Sequence, residues 1–264
     1  MKDKEKLQKI ILIIAKEVDR ICKNNNIEYF LDGGTQLGAV RHKGFIPWDD
    51  DFDIGMKRKE FEKFIYVCKK ELNKSKFYLE TCEDTGYAFS FAKIHLNGTC
   101  IIEDFSKSAD VHHGIFVDIF PYDKLPQNRF NRKLFLFINN LLKNLIWIKL
   151  NYGDDYHRKK LSYKIFKLLG KALPISVLKR KRNFLIQKYN YTNSDYYFNS
   201  DYSKKFIKKD WIDDIVDYNF EKHNFKGVKD YDSFLRNLYG NYMNIPPEEE
   251  RVCHSNYNVD FGKY

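Results

Sequence analysis

Several features that would place this chain in a particular class are scarce or missing. Cysteine occurs five times in 264 residues, at Cys22, Cys68, Cys82, Cys100 and Cys253, and never in a Cys-x-x-Cys pair. That spacing excludes a disulfide framework and a zinc ligand set, and it predicts reduced thiols in a cytoplasmic protein. Long apolar runs are missing too. The patch near the start reaches only from Ile10 to Ala15, and the later stretch 134–150 is broken by Asn139, Asn140, Lys143, Asn144 and Lys149. Neither approaches the roughly 20 apolar residues of a spanning helix, and neither reads as a secretion signal. Internal repeats and low-complexity blocks are absent, apart from a Lys/Asn/Tyr bias throughout.

Acidic residues are in short supply in one half only. Residues 1–126 carry 20 basic and 21 acidic side chains, whereas 127–264 carry 26 and 15, and within 129–188 the count is 16 to 2. The net charge of +10 therefore belongs to the second half, which excludes a uniform nucleic-acid-binding coat. With 43% hydrophobic and 17% aromatic residues the chain can bury a core, so it is not intrinsically disordered.

Hydrophobic spacing predicts helices over 4–25, 36–41 and 59–72, then over 129–150, 157–171 and 175–190, with short ones at 208–215 and 230–239. Strands are expected at 27–31, 51–54, 77–82, 88–96, 99–103 and 115–120, the last stopping at Pro121. The expected fold is α+β: a mixed sheet with flanking helices in 1–126, followed by a mostly helical, basic 127–264. That second part forms a separate domain or a second layer of one domain.

The richest chemistry lies in Pro47-Trp-Asp-Asp-Asp-Phe-Asp-Ile-Gly55. In extended chain Asp49, Asp51 and Asp53 share one face, and like charges that close favour a cation between them. Oxygen ligands of this kind suit Mg²⁺ or Mn²⁺. A solvated acidic turn is the alternative. An EF-hand is excluded because its sixth position would be Ile54 rather than Gly. Upstream, Leu31-Asp-Gly-Gly-Thr-Gln-Leu-Gly38 puts paired glycines between a strand and a helix, where backbone N–H groups can approach a phosphate. A glycine turn followed by a strand with Asp-x-Asp is the layout of the nucleotidyltransferase superfamily, which expects a third acid on a neighbouring strand. Asp118, alone in the apolar run Ile115-Phe-Val-Asp-Ile-Phe120, is that candidate, with Glu103 and Asp104 as substitutes.

The whole segment from Leu31 to Gly55 resembles the signature of the LicD family. Gly114-Ile-Phe-Val-Asp-Ile-Phe-Pro-Tyr-Asp123 and Leu238-Tyr-Gly-Asn-Tyr-Met-Asn-Ile-Pro-Pro-Glu-Glu-Glu-Arg251, with His254, resemble its middle and C-terminal motifs. Fukutin-related proteins share a similar Pro-Trp-Asp core. The resemblance implies transfer of phosphocholine from CDP-choline to a sugar hydroxyl of a bacterial surface glycan (teichoic acid, capsule or lipopolysaccharide), with release of CMP. It implies Mg²⁺ on Asp51 and Asp53, Asp118 completing the triad, and Gly33, Gly34 and Thr35 around the diphosphate. Gln36 departs from the family pattern without touching the metal assignment. The choline head group rests on the resemblance alone, since no aromatic cage can be picked from so many aromatic residues.

Arg41 and Lys43 lie between the glycine turn and the acids, and Lys93 sits in a strand; all three are candidate phosphate ligands. His112 and His113 are adjacent and point apart, which argues against a joint metal role. Arg251 and His254 either reach an acceptor phosphate or belong to a docked tail. The basic run Lys179-Arg-Lys-Arg182, with Phe135, Phe137, Ile146 and Trp147 nearby, is read as a peripheral contact for an anionic membrane presenting a lipid-linked glycan, against a plain solvated helix face. A different CDP-linked donor (ethanolamine, glycerol or ribitol), or a nucleotidyltransferase that makes the activated head group, would use the same metal site.

Overall fold

The apolar rhythm of the first residues becomes helix α1 (Lys2–Asn24), which buries Leu7, Ile10, Ile11, Ile14, Val18 and Ile21 in the computed structural model. Each such side chain contributes roughly 1.5–3 kcal/mol of transfer free energy. The structure describes residues 2–170, 173–202, 205–251 and 257–264. After α1 come β1 (Phe30–Leu31), α2 (Gly33–Arg41), β2 (Asp53–Lys57), α3 (Arg58–Glu71), β3 (Phe77–Glu80), β4 (Ala92–Leu96), β5 (Cys100–Glu103) and β6 (Phe116–Lys124). The second half contains α4 (Arg129–Lys149), α5 (Asp155–Lys159), α6 (Leu161–Gly170), α7 (Ile175–Gln187), β7 (Tyr196–Asn199), β8 (Phe206–Lys208), β9 (Ile215–Phe220), β10 (His223–Val228), α8 (Tyr231–Tyr239) and β11 (Tyr257–Asp260). The α+β expectation holds, and the second half carries strands as well as helices.

The main sheet has seven strands in the order β1-β2-β6-β4-β3, with β7 pairing β6 and β8 pairing β7. Only β2 and β6 run parallel; the other pairs in this sheet are antiparallel. Side chains alternate across each strand. Ile54, Met56, Val117 and Ile119 therefore join the core under α1 and α3. Phe120 and Tyr122 point the other way, into a second core with Phe30, Leu37 and Phe234, and Asp53 and Asp118 share that face by the same alternation. One sheet face is thus closed by the first helices, and the other holds the acids.

Four departures from the sequence-based expectation have physical reasons. Strand β6 runs through Pro121 instead of stopping there. Pairing with β4 ends at Ile119 and pairing with β7 begins at Tyr122, so the residue without an N–H falls at the handover between partners. The helix expected at 208–215 is replaced by the end of β8, a short 3-10 turn at Lys209–Trp211 and the start of β9. β9 and β10 form a hairpin whose turn residues, Glu221 and Lys222, both have positive φ (49° and 62°), a geometry usually announced by Asn-Gly or Asp-Gly. The expected helix 157–171 is two helices, α5 and α6, parted at Lys160 in extended backbone. Finally, Phe135 and Ile146 are core residues and Trp147 is half-buried; the apolar side chains that α4 shows to solvent are Phe130, Leu134, Phe137 and Leu141. Of the basic run 179–182, Arg182 is buried against Asp201 at 2.8 Å and Lys179 donates to the Asp84 and Thr85 carbonyls, which leaves Arg180 and Lys181 exposed.

Candidate active site

The glycine turn is the first turn of α2 itself. Asp32 caps the helix: its Oδ1 accepts from the Gly33 N–H at 2.8 Å, and its Oδ2 accepts from the Tyr122 hydroxyl on β6 at 2.7 Å. Gly33 has φ +50°, a region L-residues seldom adopt, and a Cβ on it would stand 3.6 Å from Asp53 Oδ2. A Cβ on Gly34 would stand 2.9 Å from Asp49 Oδ2. The two glycines thus keep the helix start open towards the carboxylates. Thr35 Oγ1 accepts from the Asp53 N–H at 2.8 Å, and the Asp32 N–H donates to the Asp53 carbonyl at 3.0 Å, so the α2 start fixes Asp53 through both of its backbone groups. Gly34→Ala is expected to raise the donor KM roughly tenfold with little change in thermal midpoint, because it displaces Asp49 by a fraction of an ångström; steady-state kinetics and a melting curve check both parts.

The acids follow the predicted alternation although regular strand begins only at Asp53. Asp49, Asp51 and Asp53 line one cavity, while Phe52 between them is buried against Phe45, Phe220 and Phe225. Among the described residues, the group of three carboxylates whose oxygens lie within 4.8 Å of one another is Asp49, Asp50 and Asp51. The parallel register then sets Asp53 beside Asp118, and the antiparallel one sets Asp118 beside Lys93 and Lys93 beside Glu80. One row across the sheet therefore alternates in function, with acids at the site and a buried cation behind them. Lys93 Nζ lies 3.2 Å from Asp118 Oδ1 and 3.9 Å from Glu103. Burial, and then the charges of Asp51 and Asp118, push the Asp53 carboxyl well above the usual range. Burial likewise pushes Asp118 up to about 6 against the opposing pull of Lys93, and Asp32 to about 6 against its two hydrogen bonds. Crowded, dry carboxylates of this kind are what a divalent cation relieves.

Two cavities meet at Asp51 and Asp53. The first, about 380 Å³, adds Gly34, Arg41, Trp48 and the loop after α8 through Asn241, Tyr242 and Asn244. The second, about 250 Å³, adds Gly33, Asp118, Asn199, Tyr202 and Lys205. Tyr239 lines both, and its hydroxyl proton is held more tightly than usual by enclosure and then by Asp32, Asp53, Asp49 and Asp51. The loop is fastened over the first cavity at two places. Arg41 donates to the Tyr242 and Asn244 carbonyls at 2.6 and 3.2 Å, and the Arg251 guanidinium lies 4.8 Å over the Trp48 ring while donating to the Pro246 carbonyl. All three sequence motifs therefore converge on one place.

Comparison with known proteins agrees with this convergence. A family model described as "LicD/FKTN/FKRP, nucleotidyltransferase domain" matches residues 26–152. The lipopolysaccharide cholinephosphotransferase LicD of Haemophilus influenzae is 31% identical over 260 residues, covering 94% of each chain. This chain belongs to the LicD family. A Rickettsia prowazekii protein, RP689, is 31% identical over 44% of this chain and 40% of its own. The human ribitol 5-phosphate transferase FKRP is 43% identical over 42 residues, covering 16% of this chain and 8% of its own.

Within the LicD signature the structure distributes the candidate residues unevenly. Asp51, Asp53, Asp118, Gly33, Gly34 and Arg41 line the joined cavities. Thr35 is buried and lines neither, its hydroxyl being used to hold Asp53. Lys43 is exposed in a positive-φ turn (61°) whose carbonyl accepts from the Glu221 N–H, away from both cavities. Lys93 faces Asp118 and sits 3.1 Å from the centre of the Phe116 ring, so it acts on the site through Asp118. Gln36, the family departure, accepts from the Val228 N–H and ties α2 to β10. Asp123 of the middle motif is no site acid: it takes both prongs of Arg58 at 2.8 and 2.6 Å. His112 stacks on Tyr78, with the ring held down to about 4 by burial and then by His95. Arg251 belongs to the docked tail, while His254 and Cys253 lie outside the described residues. Tyr239, Asn199, Tyr202 and Lys205 were not legible as site residues. Of these only Tyr239, inside the C-terminal motif, carried a sequence signal.

Among the described residues no helix is long and apolar enough to cross a membrane.

Proposed function

We propose that this protein is a metal-dependent phosphotransferase that moves phosphocholine from CDP-choline to a sugar hydroxyl of a bacterial surface glycan, releasing CMP. The observation that carries this reading is the junction of two chemically different cavities at Asp51 and Asp53. The first suits a nucleotide: Trp48 offers a ring face, Asn241 and Asn244 offer amides, and the α2 start with Arg41 meets a diphosphate. The second suits an acceptor hydroxyl, with Asp118 and Lys205 in its wall.

Mg²⁺ or Mn²⁺ fits the donor set, which is oxygen only and crowded, with Asp51 and Asp53, half-buried at the cavity walls, as its holders and Asp118 next in the row. When bound, such a cation neutralises diphosphate charge and stabilises the departing CMP. The chain's own residues supply the rest. Asp118, kept ionisable by Lys93, takes the proton from the acceptor hydroxyl as its oxygen bonds to the phosphorus bearing choline and the bond from that phosphorus to the CMP oxygen breaks. Arg41 keeps the loop over the donor and excludes water.

The Haemophilus relative's name supports phosphocholine, and the FKRP match supports ribitol 5-phosphate as a second head group. A panel of CDP-choline, CDP-ethanolamine, CDP-glycerol and CDP-ribitol, scored by CMP release with a glycan acceptor, tests this. CDP-choline is expected to lead by at least tenfold, and chelation is expected to abolish release. No acceptor-dependent CMP from any of the four sinks the reading.

A further inference from the structure

Two neighbouring helices turn apolar rows to solvent. On α4 the row is Phe130, Leu134, Phe137 and Leu141, 75%, 50%, 67% and 37% exposed; on α6 it is Leu161, Ile165 and Leu168, 72%, 50% and 68% exposed. The spacing in both is the i, i+4, i+7 of a single helix face. The two helices pack against each other, Lys149 near the end of α4 donating to the Gly170 carbonyl at the end of α6. Two regular apolar rows on neighbouring helices exceed the scattered exposure of an ordinary surface.

Charge says what covers them. Lys133 is exposed beside the α4 row, Lys164 and Lys167 beside the α6 row, and residues 129–188 hold 16 basic side chains to 2 acidic. A second copy of the chain would bring like charge against like charge, whereas an anionic surface with an apolar interior meets both features at once. We propose that the exposed faces of α4 and α6 seat the protein on an anionic lipid bilayer, the apolar rows entering the headgroup boundary and the lysines meeting lipid phosphates.

A separate observation joins this surface to the chemistry. A third cavity, about 590 Å³, is walled by Asn140, Asn144 and Trp147 of α4 together with Phe89, Phe105 and Tyr202. Tyr202 also lines the cavity that holds Asp118. Asn140 and Asn144 continue the solvent-facing side of α4 that carries Phe137 and Leu141. Amides and aromatic rings suit a sugar. A glycan anchored in the bilayer under α4 would meet this cavity first, with Tyr202 between it and the cavity that holds Asp118. This placement of the glycan rests on the transferase reading above; the bilayer contact does not.

The test is co-sedimentation of the full chain with vesicles of phosphatidylcholine alone or mixed with phosphatidylglycerol. Strong binding is expected only to the mixed vesicles, weakening with salt. Lys133→Glu/Lys164→Glu/Lys167→Glu and, separately, Phe130→Ser/Leu134→Ser/Phe137→Ser are each expected to weaken it by about a hundredfold. CMP release with a water-soluble acceptor should be unchanged in both variants, which also reports that they fold. Absence of binding to mixed vesicles at low salt, or equal binding by the charge-reversed variant, overturns the proposal. So does a wild-type dimer in solution that the serine variant converts to monomer. Vesicle binding without CMP release from any donor would instead strike the transferase reading and leave this one standing.

Discussion

Asp53→Asn is expected to lower transfer by at least about a thousandfold and yet to raise the melting temperature of the metal-free protein by several degrees. Both effects come from the same placement. Asp53 is fixed through its backbone N–H and carbonyl by α2, faces Asp118 across the parallel pair, and lines both cavities, so its carboxylate is held at the point where they meet. Its charge is at the same time opposed by burial and then by Asp51, Asp118, Asp32 and Asp49. An amide keeps the shape and removes the repulsion. For a chain of this size each kcal/mol relieved is roughly 2–4 °C. Asp51→Asn should match the loss of transfer.

The pH dependence has a definite sign. Asp118 rises from 3.8 to about 6 on folding, so the native state holds its proton more tightly than the unfolded chain does. Its contribution to stability is present in full below about pH 4 and is lost as pH climbs through 6. Asp32, also at about 6, acts in the same direction. Metal-free protein should therefore melt lower at pH 7 than at pH 5, Mg²⁺ should protect more at pH 7, and Asp53→Asn should shrink that protection. Thermal scans with chelator or Mg²⁺ read all three. A wild-type level of CMP release by either Asn variant, or a lower metal-free melting temperature for Asp53→Asn, would sink the assignment.

The second large effect concerns folding. Arg182→Ala is expected to cost about 3–5 kcal/mol, because it strands a buried charge. Arg182 is 2% exposed and reaches Asp201 Oδ1 at 2.8 Å, the Ser200 carbonyl at 3.2 Å and Asn139 Oδ1 at 3.2 Å. Asp201 also accepts from the Ser90 N–H at 3.0 Å, so its carboxylate joins α7 to the segment entering β4, while Arg182 itself carries the tie on to Asn139 of α4. Adding Asp201→Ala to Arg182→Ala should recover part of the loss, which urea denaturation of the single and double variants measures. An Arg182→Ala protein within about 1 kcal/mol of wild type would contradict the assignment.

The contrast between Asp118 and Arg182 shows what could be read from the sequence. A lone acid in an apolar strand announces a function because burial needs a reason, and Asp118 has one. A basic residue in a run of four announces a solvated face, and for Arg182 that inference fails because its partner, Asp201, lies 19 residues away with no local signal. Likewise a third acid on a strand neighbouring Asp53 was expected from the glycine-turn and Asp-x-Asp layout, whereas the parallel register that sets Asp53 beside Asp118 is seen only in the fold. Lys205 and Asn199 came from β7 and β8 and the loop between them, whose attachment to β6 is a tertiary event beyond periodicity. Asp123 was read with a site motif yet serves α3, because the partner that decides its role, Arg58, sits 65 residues upstream.

The roof over the first cavity has a consequence in time. Its residues, 239–246, leave the ribosome nearly 200 positions after the acids they cover, and Arg41 cannot grip the Tyr242 carbonyl until then. During synthesis the acidic turn and glycine helix start can be in place while the cavity beside them has no lid. The site is therefore completed at one late step, when the last motif arrives, and an interrupted chain that keeps Asp51, Asp53 and Asp118 should release no CMP.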